Sequence, residues 1–270
     1  MGVINIFMCR FLGFQSSRPC EIHYSLHDAE NALVKQSKKH PDGWGVGYYV
    51  DKELYLMKSA RAAFRDFNFP HLTKGIVSKT IICHVRQATM GAKKIENCHP
   101  FKFGNWMFAH HGNIRRFKKV KPLLLKEMPQ KMKQHIQGLT DSEVAFHLFM
   151  TYLSQEVRDI DSVSKIKPIE KALIKTINKI DQLVKKVGAS KKSDLNFILT
   201  NGKFILATCR GEKLYYTEHH ETMGISKKRR LEKYFMICSE KFSKSDYWEK
   251  VPKNSLVIVN DKADYDIVPL

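Results

Sequence analysis

A cysteine, Cys9, follows directly on Met8 a few residues into the chain. If translation starts at Met8, or if residues 1–8 are cut away, Cys9 becomes the N-terminal residue and carries thiol and free α-amine on one carbon framework. A free thiol titrates near pH 8.5 and an α-amine at about 7.7–8.0. The amine can therefore take the thiol proton and return it around neutral pH, directly or through a water. A peptide nitrogen cannot. The alternative is a small apolar residue in a buried first strand, flanked by Ile6, Phe7, Phe11 and Leu12, since free cysteine is among the most buried residue types.

Two apolar runs end in groups that can do chemistry. Thr80–Arg86 reads as a buried strand broken by Gln87-Ala88-Thr89-Met90-Gly91, and Trp106–His110 as a short strand stopping at His111-Gly112-Asn113. Catalytic groups collect at such exits, because the loop is exposed while the strand holds it still. Between them lies Asn97-Cys98-His99-Pro100-Phe101. Upstream, Asp42-Gly43-Trp44-Gly45-Val46-Gly47 places three glycines in five residues, which brings backbone close to another strand or to a ligand. Trp44 is then a pocket wall or a core residue.

The elements that must hold these groups can be read from periodicity. Ala29, Ala32, Leu33 and Gln36 fit a helix over 27–36 with Ser25 or Asp28 as cap. Leu54–Met57 pairs with the glycine-rich strand through an Asp51-Lys52 turn. The basic stretch 115–135 is helical or irregular and broken by Pro122 and Pro129. Thr140 and Glu143 form a capping box opening a helix continued by Val144, Phe146, His147, Met150 and Leu153. A second, amphipathic helix runs from about Pro168 to Val187 and ends at Gly188. The last third alternates as strands near 195–199, 204–209, 214–217, 234–239 and 256–259, with a hairpin signal at Asn201-Gly202.

The 270 residues suffice for one compact unit. No stretch approaches the roughly 20 apolar residues that span a bilayer, and Met1–Met8 is too short for a signal-peptide core. A cytoplasmic protein with no membrane association is expected. The cysteines at 9, 20, 83, 98, 209 and 238 lack metal-site spacing and read as reduced thiols, with no metal or cofactor required. A net charge of +19 attracts polyanions, and Lys227-Lys228-Arg229-Arg230 is the densest run. No RNA- or DNA-binding signature accompanies it, so a solvated loop is the preferred reading over nucleic acid.

Taken in order, Cys9-Arg10-Phe11-Leu12-Gly13, Asp42-Gly43-Trp44-Gly45, His84-Val85-Arg86-Gln87-Ala88-Thr89-Met90-Gly91, Asn97-Cys98-His99-Pro100-Phe101, Ala109-His110-His111-Gly112-Asn113 and Thr140-Asp141-Ser142-Glu143 resemble a class II glutamine amidotransferase, an N-terminal-nucleophile hydrolase. The likeness is to the stand-alone branch that includes proteins of ergothioneine biosynthesis and glutathione breakdown, and it runs from Cys9 to the end, with residues 1–8 as an extension. It implies an α+β fold, a four-layer αββα sandwich of two antiparallel sheets, acting on glutamine or a γ-glutamyl amide. By that resemblance Cys9 forms a γ-glutamyl thioester, Arg86 holds the substrate α-carboxylate, Asp141 its α-ammonium, and Gly112 offers its N–H to the oxyanion. Gln87, Thr89, Asn97 and His99 shape the pocket, with Trp44 and Gly45 lining it.

The sequence departs from the family in one place: the usual His-Asn-Gly reads His110-His111-Gly112. An imidazole replaces the amide that completes the oxyanion hole, and loss of such a donor costs on the order of 10² to 10³ in rate. Activity that varies with pH as His111 titrates is one expectation. Two rival readings stand beside hydrolysis of glutamine: a γ-glutamyl peptide hydrolase acting on a thiol peptide such as glutathione, and a degenerate fold binding a polyanion. Either the substrate is simply hydrolysed or the ammonia passes to a separate synthase partner, and the sequence leaves open whether the chain is a monomer or a homo-oligomer.

Overall fold

The structure is a computed structural model that describes residues 9–223, 230–244 and 247–270. The extension 1–8 and Lys227–Arg229 of the basic run lie outside the described residues. In chain order the elements are β1 (Arg10–Glu21), α1 (Leu33–Gln36), β2 (Trp44–Val50), β3 (Glu53–Ser59), α2 (Asn68–Thr73), β4 (Val77–Val85), β5 (Phe101–Phe103) and β6 (Trp106–Asn113). Then follow α3 (Phe117–Lys126), α4 (Gln130–Lys133), α5 (Asp141–Glu156), α6 (Ile166–Lys186), β7 (Asp194–Thr200) and β8 (Ile205–Cys209). The chain ends with β9 (Tyr215–Met223), β10 (Arg230–Cys238), β11 (Glu249–Lys250), β12 (Ser255–Val259) and β13 (Tyr265–Pro269).

The strands form two antiparallel sheets, ordered β11-β9-β10-β1-β4-β2-β3 and β13-β12-β8-β7-β6-β5. Strand alternation sorts their side chains into three cores. Phe11, Ile82, Met107, Ala109, Ile198 and Ile237 fill the space between the sheets. Their neighbours Leu12, Phe14, Ile81 and Cys83 pack outward against α1 and α2, while Trp106, Phe108 and Phe197 pack on α3, α5 and α6. The result is helix, sheet, sheet, helix. α6 carries Ile169, Leu173, Ile177, Ile180 and Val184 on its buried face, and burying each such side chain contributes about 1.5–3 kcal/mol. Gly188, at φ +78°, follows its end.

Several sequence expectations change. Instead of one helix over 27–36, a single turn at Tyr24–Asp28 precedes the four-residue α1. The Asn31 N–H donates to the Phe242 carbonyl and its side-chain amide to that of Lys241, so tertiary bonds replace helical ones. Pro122 does not break α3. Both Pro122 and Lys118, whose carbonyl loses its helical donor, are exposed, so water can serve that carbonyl. β6 does not stop at His111 but pairs with β7 through Asn113. At α5, Thr140 accepts from the Glu143 N–H, but the Glu143 carboxylate binds the Gln137 and Gly138 N–H groups rather than closing the capping box.

Candidate active site

Cys9 sits where β1 enters the first sheet, and alternation with Phe11 and Gly13 turns it toward the gap between the sheets. Its Sγ lies 3.2 Å from both the N–H and the carbonyl oxygen of Gln87. Burial pushes the thiol pKa up to about 11, against the opposing pull of the Gln87 N–H and the Arg86 charge. At pH 7 roughly one thiol in 10⁴ is then ionised. The strand start is anchored beside it: the Phe11 N–H donates to Ser239 Oγ at 3.1 Å, and Arg10 pairs with Glu240 while donating to the Cys9 carbonyl at 3.2 Å.

From the second sheet, β6 brings two adjacent histidines that face opposite ways. His110 points at the helices, with Nε2 2.9 Å from the Asp194 carbonyl and Nδ1 3.0 Å from Ser142 Oγ. The carbonyl fixes Nε2 as the protonated nitrogen, so Nδ1 accepts from the hydroxyl. His111 points into the gap, edge-on to Phe11, and its ring donates to the Cys9 carbonyl. Its Nδ1 has no partner among the described residues. Burial, then the Arg10 charge, pushes its pKa down to about 3. The expectation of a donor that titrates near neutral pH is therefore replaced by a neutral ring whose one N–H is turned to the backbone of Cys9. Gly112 follows at φ +152°, where a Cβ would overlap the Asp194 carbonyl oxygen; only glycine fits.

The loop leaving β4 is held from three sides. The Arg86 guanidinium, 2% exposed, donates to the carbonyls of Met90 at 2.7 Å and of Gly91 and Ala92 at 3.2 Å. Asp42 accepts from the Ala88 N–H at 2.8 Å and pairs with Lys93, which helps keep its carboxyl below the usual range. Asn97 donates to the Ala92 carbonyl and accepts from the Leu139 N–H. Asp141, first in α5, accepts from the Ile114 N–H at 2.7 Å and the Ser142 N–H at 2.9 Å. Arg86 and Asp141 both bear on the ionisation of Cys9, with opposite sign. Gln87 lies against the thiol, and its Oε1 is buried without a partner among the described residues. Thr89 is exposed on the same loop.

The sequence profile of the class-II glutamine amidotransferases matches residues 8–265. The chain belongs to that family. It is 30% identical to the "Probable glutamine amidotransferase DUG3" of Saccharomyces cerevisiae, over 93% of this chain and 82% of that protein. It is 24% identical to the "Gamma-glutamyl-hercynylcysteine sulfoxide hydrolase" of Mycobacterium tuberculosis, over 94% of each. In fold it resembles a glutamine aminotransferase class-II domain protein from Silicibacter pomeroyi, with a TM-score of 0.69 at 18% identity, covering 97% and 99% of the two chains. The glutamine phosphoribosylpyrophosphate amidotransferase of Bacillus subtilis matches with a TM-score of 0.61 at 18% identity, over 97% of this chain and 49% of that one.

In this amidotransferase the remaining sequence candidates divide. Gly45 lies under the His99 backbone, where a Cβ would overlap the carbonyl, so its close neighbour is another chain segment. Trp44 does not line the gap. It is 1% exposed in the outer core, donates to Asp66 at 2.9 Å and meets Phe69 edge-on; β2 turns it away while Gly45 faces inward. His99 is buried with its ring centroid 4.1 Å from that of His84, and neither ring has a partner for its nitrogens among the described residues. Burial is the first cause lowering the pKa of His40, His84, His99, His110 and His111. Sequence reading did not assign roles to Asp42, His84, His110 or the Arg10–Glu240 pair, although each stands in or next to a motif. All six cysteines are free. Among the described residues no His, Cys, Asp and Glu group is placed to hold a metal, and no helix is long and apolar enough to cross a membrane.

Proposed function

We propose that this amidotransferase cleaves the γ-amide of glutamine or of a γ-glutamyl compound by attack of the Cys9 sulfur on the γ-carbonyl. The carbon–nitrogen bond breaks, the amine departs with the proton drawn from the thiol, and a γ-glutamyl thioester remains. Water then opens the thioester, giving glutamate and restoring the thiol. The observation that carries the reading is a buried thiol with a fixed cation, Arg86, and a fixed anion, Asp141, both close enough to act on it. A zwitterionic amino-acid head requires such a pair. Arg86 would take the α-carboxylate by exchanging loop carbonyls for it, Asp141 would take the α-ammonium, and the Gly112 N–H would meet the oxyanion.

The raised thiol pKa makes a local base necessary, and the α-amine of Cys9, freed by loss of the preceding residues, fills that role. Gln87 supports the sulfur directly. Asn97, His99, Gly45 and Thr89 act by shaping the frame. The mycobacterial relative, named for hydrolysis of a γ-glutamyl compound and aligned along 94% of both chains, supports counting γ-glutamyl compounds beside glutamine as substrates.

The test is glutamate release from glutamine and from glutathione, with wild type and Cys9→Ala, joined to trapping with a diazo-oxo-norleucine and mapping of the adduct by mass spectrometry. Loss of release in Cys9→Ala and an adduct on Cys9 are expected. Turnover that survives Cys9→Ala, or an adduct elsewhere, overturns the proposal.

A further inference from the structure

A cavity of about 540 Å³ opens between β3, β5 and α5, and it shares no lining residue with the groups that surround Cys9. Its volume falls within the roughly 300–1,000 Å³ of small-molecule sites. Lys58, Lys102 and Glu96 line it with charges of both signs, beside Phe103 and His147.

His147 is the informative residue. It is 1% exposed, and its Nδ1 lies 2.9 Å from the Glu143 carbonyl oxygen, which fixes the proton on Nδ1. Nε2 is therefore a bare lone pair, buried and without a donor among the described residues. A buried acceptor left without a partner costs about 1–3 kcal/mol. The opposite need arises at Lys58, whose Nζ gives one hydrogen to the Cys98 carbonyl at 3.1 Å and lies 5.7 Å from the Phe101 ring centroid. Lys102 likewise gives one hydrogen, to the Leu54 carbonyl at 3.2 Å. Glu143 is already satisfied by two backbone N–H groups and makes no further demand.

An occupant must therefore bring a hydrogen-bond donor for His147 and an anion for the lysines. We propose that the cavity binds a small zwitterion, an amino acid or short peptide, with its ammonium on His147 Nε2 and Glu96 and its carboxylate on Lys58 and Lys102. The site is separate from Cys9, and Lys58 ties it to the segment from Asn97 to His99 by holding the carbonyl of Cys98.

The test uses the full chain and three probes: glycylglycine, N-acetylglycylglycine, which lacks the ammonium, and glycylglycinamide, which lacks the carboxylate. Binding is followed by calorimetric titration and by the ¹⁵N signal of the His147 ring, assigned by its disappearance in His147→Gln. Glycylglycine is expected to shift the Nε2 resonance, and each capped probe to bind at least about tenfold more weakly, the equivalent of one charge-assisted hydrogen bond. Lys58→Gln is expected to weaken glycylglycine by a similar factor and to leave glycylglycinamide unchanged, while Lys58→Arg restores the peptide. Should His147→Gln fail to fold, Lys58→Gln and Lys58→Arg still decide the matter. Equal binding of the three probes, binding indifferent to Lys58→Gln, or no binding at tens of millimolar overturns the assignment.

Discussion

Cys9 and His111 meet through backbone rather than through the sulfur, and this sets what the histidine can do. A neutral imidazole has one N–H, and in His111 that hydrogen goes to the Cys9 carbonyl, so the ring aims the Cys9 main chain. An asparagine amide has two N–H groups, enough to hold that carbonyl and still offer a donor to the gap. His111→Asn is therefore expected to keep or raise turnover for glutamate release. Because the His111 pKa lies at about 3, the substitution should also leave the profile of kcat unchanged between pH 6 and 9. His111→Ala leaves the carbonyl without that donor and should lower stability by about 1–3 kcal/mol. A tenfold or greater fall in kcat for His111→Asn would show that the imidazole serves the reaction in its own right.

The loop from Gln87 to Lys93 has no regular structure, and it keeps its shape through side chains. Arg86 gathers its carbonyls, Asp42 its Ala88 N–H and Lys93, and Asn97 its Ala92 carbonyl. Removing the Asp42 carboxylate should release the loop while the strands stay paired. For Asp42→Ala the expected result is a rise in KM of about tenfold, the effect of one charge-assisted bond, with a smaller change in kcat. Hydrogen exchange at Ala88 should accelerate while β4 stays protected. An unchanged KM with accelerated exchange would detach the loop from substrate binding. The elements around this loop differ in how plainly the sequence announces them. α6 and the β7–β8 hairpin are legible because a long apolar face and an Asn-Gly turn are local signals. α1 is not, since Asn31 is claimed by Phe242 and Lys241 from over 200 residues away. Trp44 could have faced either way, and only the register of β2 against β4 decides it. The motif residues Cys9, Arg86, Asp141 and Gly112 are legible as a set, but the carbonyls that occupy Arg86 are backbone atoms, which no side-chain pattern reveals.

At the scale of the whole molecule, folding closes five imidazoles into one region. His84 comes from the first sheet, His110 and His111 from the second, and His40 and His99 from the segments between. Nothing in their spacing along the chain shows this, because only the packing of the two sheets and of α5 on the second brings them together. Each has its pKa lowered, with burial the first cause, to about 4 for His40 and about 3 for His111. In the unfolded chain they return to about 6.5. Above that value both states are neutral and the group adds no pH dependence. Below it the unfolded chain takes up protons that the native state refuses, so stability falls with pH until the folded pKa is reached. Each such histidine contributes a slope of about 1.4 kcal/mol per pH unit across that window. Unfolding free energy measured by urea titration should therefore drop between pH 6.5 and 5, with a slope that requires more than one proton. The existing positive charge of +19 adds repulsion in the same direction. In His111→Asn the slope should decrease by about one proton. A stability flat from pH 7 to 5 would mean that the imidazoles are solvated, and that the gap between the sheets is not the dry enclosure from which the raised pKa of Cys9 follows.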